Sequence, residues 1–183
     1  MNILDQVKNK KDYNPANSAA WFMKNVNSLS NSGFKPMDFL GQNQSKQIRK
    51  LQPSMIGSLC QFFYSPKHKE TLPVYDTFPL ILPFNFANGL IYGLNIHYMH
   101  PRYRLIAFDK LSKIVGDPNT RRQLSWRFIS GLANVPQLRN CVKCYIPSNI
   151  KSNIIVFGED DYVPAIFLPS QVFKKQSADE VWK

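Results

Sequence analysis

Residues Met55–Tyr103 have the sequence MIGSLCQFFYSPKHKETLPVYDTFPLILPFNFANGLIYGLNIHYMHPRY, the densest hydrophobic and aromatic stretch of the chain. Within it, polar turns separate apolar runs at Ser54–Tyr64, Phe78–Phe86 and Leu90–Met99. Such runs, divided by turn residues, predict consecutive antiparallel strands. Asn88-Gly89 is the strongest hairpin signal, because both central positions of a tight primed turn need a positive φ. The stretch therefore predicts a small antiparallel β-meander or a partly open barrel.

Helices are predicted downstream of this stretch. Apolar side chains recur at i, i+3 and i+4 over residues 101–115 and 120–133, which is typical of amphipathic helices. A third short helix is predicted at 136–145, and two late strands at 153–157 and 163–168. The predicted fold class is α+β, with two to three helices packed on the sheet in a single domain, residues 54–183.

Residues 1–53 differ in composition and predict an extended N-terminal arm with a short helix near residues 17–29. The arm is rich in Asn, Ser, Lys and Gln, with few large apolar side chains. One interpretation is a poorly ordered terminus. The other, which we favour, is an arm that docks on a neighbouring subunit through Trp21, Phe22 and Phe39, since apolar residues spaced along a polar segment suit folding on binding.

Composition limits the environment and the partners. The 183 residues carry 23 Lys and Arg against 12 Asp and Glu, a net charge of +11. A positive surface favours nucleic acid, an anionic membrane or an acidic protein partner, without choosing among them. Three cysteines make a secreted disulfide framework improbable and indicate a reducing compartment. No apolar run approaches the roughly 20 residues that span a bilayer, so we expect no membrane association.

A metal site is the first catalytic or binding hypothesis to weigh. Cys141-x-x-Cys144 together with His97-x-x-His100 would make a tetrahedral set of two cysteines and two histidines. However, residues three apart at the end of a strand point to opposite faces, and a single CxxC is equally typical of structural cysteines. The sequence therefore predicts no metal and no cofactor.

Hydrolytic chemistry is the second hypothesis. Asp76 and His97 make a catalytic triad on paper with Ser65 or Cys60, but nothing supplies the sharp nucleophile turn or the oxyanion donors. The acidic run at 159–161 falls in a predicted turn, where a solvated loop is more typical than a Mg²⁺ site. We therefore expect a protein that is not an enzyme.

Basic residues interleaved with aromatic ones are the more plentiful signal. They occupy a turn between two strands, the junction that follows the last strand of the meander, and the second predicted helix. Cations and stackable rings suit contact with nucleic acid, but arginines also anchor protein interfaces. Both interpretations stay open for the candidate binding residues, which are Trp21, Phe22, Lys67, His68, Lys69, Tyr98, Arg102, Arg104, Arg121 and Arg122.

Over residues 55–183 the chain resembles small proteins of contractile-tailed, T4-like bacteriophages. The matching strings are FFYSPKHK at 62–69, LPVYDTFPL at 72–80, GLNIHY at 93–98 and AIFLP at 165–169. The resemblance implies a virion component or a DNA-handling accessory, and it carries over no catalytic residues.

The function predicted from these observations is a non-catalytic structural or assembly protein of the phage tail, baseplate or neck. Its expected partners are other phage structural proteins in a symmetric assembly, with possible DNA contact. Its expected location is the virion, and the host cytoplasm during assembly. The alternative is a DNA-binding accessory for genome packaging, end protection or replication.

Overall fold

A computed structural model of the protein describes residues 46–104, 107, 136–158 and 161–183. An antiparallel sheet of six strands forms its centre, in the order β1-β7-β2-β4-β5-β6. These strands are β1 (Lys46–Ile48), β2 (Cys60–Gln61), β4 (Leu80–Ala87), β5 (Leu90–Asn95), β6 (Val142–Tyr145) and β7 (Ile154–Val156). A second, two-stranded sheet pairs β3 (Tyr75–Asp76) with β8 (Phe173–Lys174). The α+β prediction is confirmed, and the six-stranded sheet is open, not a closed barrel.

The β4–β5 hairpin confirms the strongest local prediction. Asn88 and Gly89 have φ values of 53° and 73°, as a tight primed turn requires. Pro83 lies inside β4 opposite Gly93, next to a register shift between Pro83 and Asn85. Proline has no N–H to donate to a neighbouring strand. Pro83 lies beyond Leu80 and Ile81, the two residues of β4 that pair with β2.

The core has two hydrophobic clusters that follow the alternation of side chains along the strands. Leu80 and Leu82 belong to one cluster, whereas Ile81 between them belongs to the other. Successive side chains of a strand point to opposite faces, so the sheet is covered on both sides. The first cluster also contains Ile166 and Phe167, which belong to a helix.

The described helices are short: α1 (Pro136–Arg139), α2 (Tyr162–Phe167) and α3 (Ala178–Val181). A capping box formed by Ser177 and Glu180 begins α3. Residues 101–104 are also helical, and most of the predicted helices at 101–115 and 120–133 lies outside the described residues. Among the described helices, none combines the length and apolar character that crossing a bilayer needs.

Three predictions of secondary structure are wrong in part. The strand expected at 163–168 is helix α2, because a short apolar run does not distinguish strand from helix. The helix expected at 136–145 ends at Arg139 and gives way to β6. The first apolar run, Ser54–Tyr64, overlaps a 3₁₀ turn, Pro53–Met55, and contains only the two-residue strand β2.

The predicted arm contributes one strand to the sheet. Lys46–Ile48 of the arm forms β1, an edge strand paired with β7. The remaining arm residues, including the predicted helix near 17–29, lie outside the described part of the chain. The division into an arm of residues 1–53 and a domain of residues 54–183 therefore stays a prediction.

Candidate nucleic-acid interface

A buried polar network joins the two-stranded sheet to the main sheet. Asp76, in β3, lies with its Oδ2 atom 2.6 Å from Nδ1 of His97. Its Oδ1 atom accepts hydrogen bonds from the backbone N–H groups of Phe78 and Val172, at 2.9 and 3.2 Å. The side-chain amide of Asn95 donates to Oδ2 at 3.4 Å. The carboxylate therefore accepts four hydrogen bonds in the protein interior.

Two further side chains extend this network and fix the protonation of the imidazole. Nε2 of His97 lies 3.2 Å from the hydroxyl of Ser170, and the amide of Gln61 donates to that hydroxyl at 2.8 Å. Donors and acceptors match if Ser170 donates to Nε2 and Nδ1–H donates to Asp76. We therefore assign a neutral His97 with its proton on Nδ1.

The pKa values agree with this assignment. Burial lowers the pKa of His97, although the neighbouring Asp76 acts in the opposite direction. Burial alone would raise the pKa of Asp76, but His97 and the N–H groups of Phe78 and Val172 hold it below its ordinary value. The pair is therefore a charged carboxylate and a neutral imidazole at neutral pH.

The sequence correctly associated Asp76 with His97, but the third partner is Ser170, not Ser65 or Cys60. The backbone N–H of Ser65 bonds to Asn149, and Cys60 is buried with its pKa raised to about 12 by desolvation. Ser170 and His97 are only 1% and 0% exposed. Ser170, His97 and Asp76 have the order of a catalytic triad, and each is buried and bonded to neighbouring protein groups in the described part of the chain, as in a structural hydrogen-bond network.

Acid should destabilise the protein through this network. The unfolded chain protonates His97 near pH 6.5, whereas the folded chain does so only at a lower pH. The stability contributed by neutral His97 is therefore complete above about pH 6.5 and is lost as the pH falls through the folded pKa. Each pKa unit between the folded and the unfolded value of His97 corresponds to about 1.4 kcal/mol of folding free energy. The lowered pKa of Asp76 adds a further loss of stability as the pH falls below about 3.8.

Urea denaturation at pH 7.5 and pH 5 measures this effect. We expect a lower free energy of unfolding at pH 5, and a smaller difference between the two pH values in His97→Gln. His68→Gln is the matched control, because His68 is exposed and lies outside the network. An undiminished pH dependence in His97→Gln would contradict the assignment.

Arg104, predicted as a binding residue, is instead an interior residue and is 3% exposed. Its guanidinium donates to the carbonyl oxygens of Met99, Ile166 and His97, at 2.9, 2.7 and 3.4 Å. Trp182 donates its indole N–H to the same His97 carbonyl at 2.7 Å. An arginine bound to three carbonyls has no surface to offer to a phosphate. This candidate is corrected because its side chain holds together the start of the helix at 101–104, α2 and α3.

A basic surface forms where the turn at residues 66–72 meets β8. Lys67 and Lys69 are exposed in the turn, and Lys174 is exposed in β8 opposite Tyr75. The ammonium group of Lys175 bonds to the carbonyls of Glu70 and Leu72, at 2.7 and 2.9 Å, and so fixes the turn against β8. We call Lys67, Lys69 and Lys174 the lysine patch.

A cleft of about 140 Å³, which we call the tyrosine cleft, lies beside the lysine patch. One wall comes from residues 66–75, with Pro66, Leu72, Val74 and Tyr75. Strand β6 supplies Lys143, Cys144 and Tyr145. Tyr98, another predicted binding residue, is 6% exposed, but its ring lines the cleft and carries the Lys143 ammonium 3.9 Å from its centre. The structure thus places Tyr98 beside the turn that contains Lys67, His68 and Lys69.

The other predicted candidates are not assembled into this surface. Arg102 is exposed and lies with its guanidinium 4.6 Å from the ring centre of Tyr103. The rings of Tyr103 and Trp182 both contact His100. Trp21, Phe22, Arg121 and Arg122 lie outside the described residues.

The zinc hypothesis finds no support in the described residues. Cys141 is buried and Cys144 is exposed, while His97 is engaged with Asp76 and His100 contacts aromatic rings. No three His, Cys, Asp or Glu side chains converge on a possible ion position within 46–104, 107, 136–158 and 161–183.

Sequence reasoning missed Lys143, Tyr145, Lys174 and Lys175. Lys174-Lys175 is a basic pair that follows the last predicted strand, at 163–168. Lys143 and Tyr145 alternate with Val142 and Cys144, a period-2 signal of a strand. That alternation was the available signal, and the prediction of a helix at 136–145 concealed it.

Comparison with known families decides the origin of the chain. A family model described as phage T4 terminal DNA protecting protein matches residues 2–183. The chain belongs to this phage family. The match confirms the T4-like origin and includes the first 50 residues, which the resemblance did not reach. Neither the curated proteins nor the solved structures contain a match to the chain.

Membership of this family corrects the predicted function. The interpretation as a structural protein of the tail, baseplate or neck is wrong, because the family is described by the protection of DNA ends. Large aromatic side chains such as Phe62, Phe78 and Tyr145 are buried in the core of this chain. The alternative, a DNA-binding accessory, agrees with the family.

Proposed function

We propose that this protein binds the ends of linear phage DNA and shields them from exonucleases. The observation that carries the proposal is the family match over residues 2–183. The lysine patch supports it, because its three exposed lysines lie on two segments that Lys175 ties together, and exposed cations attract phosphates. The net charge of +11 favours DNA in the same way.

We infer that protection works by occupancy, without turnover of DNA. The Ser170–His97–Asp76 network is buried, and its hydrogen bonds are satisfied by neighbouring protein groups. Clustered carboxylates, the usual ligands for the Mg²⁺ of a nuclease, are not found among the described residues. A protein that only covers the end needs cations that face the phosphates, and the exposed lysine patch offers such cations.

An exonuclease protection assay tests the proposed function. Linear duplex DNA is incubated with increasing protein and a duplex-specific exonuclease, and the remaining DNA is measured. At a protein concentration ten times the Kd, degradation from the ends should slow by about tenfold. Endonuclease cutting of a covalently closed circle under the same conditions is the control and should continue. Unchanged exonuclease degradation at saturating protein would contradict the proposal, and release of nucleotides by the protein alone would contradict binding without turnover.

The place of action follows from the ligand. We infer that the protein acts in the host cytoplasm, where a linear phage genome meets nucleases. Presence in the virion and contacts with other phage structural proteins stay predictions. Mass spectrometry of purified, nuclease-treated particles tests both.

A further inference from the structure

The tyrosine cleft has the lining of a site for a planar ligand. Side chains of Tyr64, Tyr75, Tyr98 and Tyr145 contribute to its wall, and Asn95 adds an amide. Tyr75 and Lys143 are half-buried and Cys144 is exposed, so the cleft opens to solvent on this side. Its volume of about 140 Å³ is below the roughly 300 Å³ at which pockets for drug-sized ligands begin, so it suits a small planar group such as a nucleobase. Aromatic side chains are the usual partners of unstacked bases.

Tyr145 belongs to the lining of the cleft, and it is 3% exposed. Burial raises the pKa of its hydroxyl, and the neighbouring Asn95 side chain acts in the opposite direction. Tyr145 therefore contributes to the wall of the cleft with an enclosed hydroxyl next to Asn95.

Charge decides which part of a nucleotide enters. The buried carboxylate of Asp76 belongs to the lining and repels a phosphate, whereas an uncharged base meets no such opposition. Lys143 places an ammonium group over the Tyr98 ring at the open side. A base inside the cleft would leave its phosphate within reach of this lysine, and the duplex that follows would pass the lysine patch.

We propose that the tyrosine cleft receives the terminal base of one DNA strand, with Lys143 on the adjoining phosphate. This inference rests on the proposed function and deepens it, since only an end presents a base that can leave the duplex without bending the backbone. Capture of that base withdraws the terminal nucleotide from an exonuclease. It also lets the protein distinguish an end from continuous duplex.

Cys144 provides a direct test, because it is the exposed cysteine of the lining. Cys60 and Cys141 are buried, and burial raises the pKa of each thiol to about 12, so a thiol-directed alkylating reagent should modify Cys144 selectively in the folded chain. The alkylation rate of Cys144 is measured by mass spectrometry with three duplexes of one sequence. These are a linear duplex, a covalently closed minicircle, and a linear duplex whose terminal nucleotides lack bases.

Linear duplex at ten times its Kd should slow the alkylation of Cys144 by about tenfold. The minicircle and the baseless ends, each at ten times its own Kd, should leave the rate nearly unchanged. Equal slowing by all three duplexes would overturn the inference while leaving DNA binding intact. So would end-selective protection from exonuclease without any slowing of alkylation. Failure of every duplex to bind would instead overturn the proposed function.

Two substitutions test the same cleft by affinity. Tyr75→Ala removes the half-buried ring of the lining, so it should weaken binding to linear ends about tenfold through lost stacking on the base. Lys143→Gln should weaken end binding and lower the magnitude of the salt slope by about one. Lys151→Gln is the matched control, because Lys151 is exposed and bonds to Ser148, outside the cleft. End affinity unchanged in both cleft variants would contradict the inference.

Discussion

Replacing Asp76 by alanine should lower the free energy of unfolding by about 3–5 kcal/mol. The change leaves four donors without their acceptor: the N–H groups of Phe78 and Val172, the ring of His97 and the amide of Asn95. Domains of this size have a total stability of roughly 5–15 kcal/mol, so the loss is a large share of it. Asp76→Asn should lower the free energy of unfolding by less. Its remaining carbonyl oxygen can still accept hydrogen bonds from the backbone N–H groups, whereas its new NH₂ group faces the Nδ1–H donor of His97 without an acceptor between them.

Urea denaturation at pH 7.5 measures this loss. Asp179→Ala is the control, since Asp179 is exposed in the first turn of α3 and its removal should cost no more than about 0.5 kcal/mol. Hydrogen exchange adds a local measurement: β3 and β8 should exchange faster in Asp76→Ala, because the carboxylate bonds to the N–H of Val172 beside β8. A loss below about 1 kcal/mol would show that the network is not a principal support of the fold.

Replacing Lys67, Lys69 and Lys174 together by glutamine should weaken DNA binding on the order of a hundredfold at ~0.1 M salt. Each phosphate contact that is lost lowers the magnitude of the slope of log affinity against log salt by about 0.9, so the slope should change by about 2.7. Lys175 is left in place because it holds the turn against β8. Exonuclease protection should fall in parallel.

A second triple variant with the same change in net charge distinguishes binding at the lysine patch from attraction of DNA by the overall charge. Arg49, Lys50 and Lys151 are exposed near β1 and β7, on the opposite side of the sheet order from β6. Replacing these three by glutamine should change the salt slope much less. If both triple variants lose affinity equally, DNA is attracted by overall charge and the lysine patch has no special role.

The sequence predicted the parts of the fold that depend on neighbouring residues. Asn88 and Gly89 specify a turn through their own φ preferences, and the strands on either side pair next to each other. The conformation of short apolar segments was harder to predict. The segment expected as a strand at 163–168 lies largely in helix α2, whose Ile166 and Phe167 pack into the core. Local sequence carries no information about that packing.

The candidate site was predictable only in part, for a related reason. Lys67, His68 and Lys69 were found because they are adjacent in a turn. Lys174 and Tyr75 meet through the pairing of β3 with β8, and Lys143 meets Tyr98 through the pairing of β5 with β6. Arg104 was misassigned because an arginine in a helix near a turn gives no indication of whether it faces carbonyls or solvent.

The pairing of β3 with β8 also sets when the lysine patch can form. Tyr75 and Lys174 are direct partners, and Lys175 reaches back to residues 70 and 72. During translation, the ribosome must therefore release about a hundred residues beyond the turn before the turn is fixed in place. Nascent chains and products of premature termination before residue 173 lack this clamp, so only chains that extend past residue 175 should present the lysine patch in its fixed form.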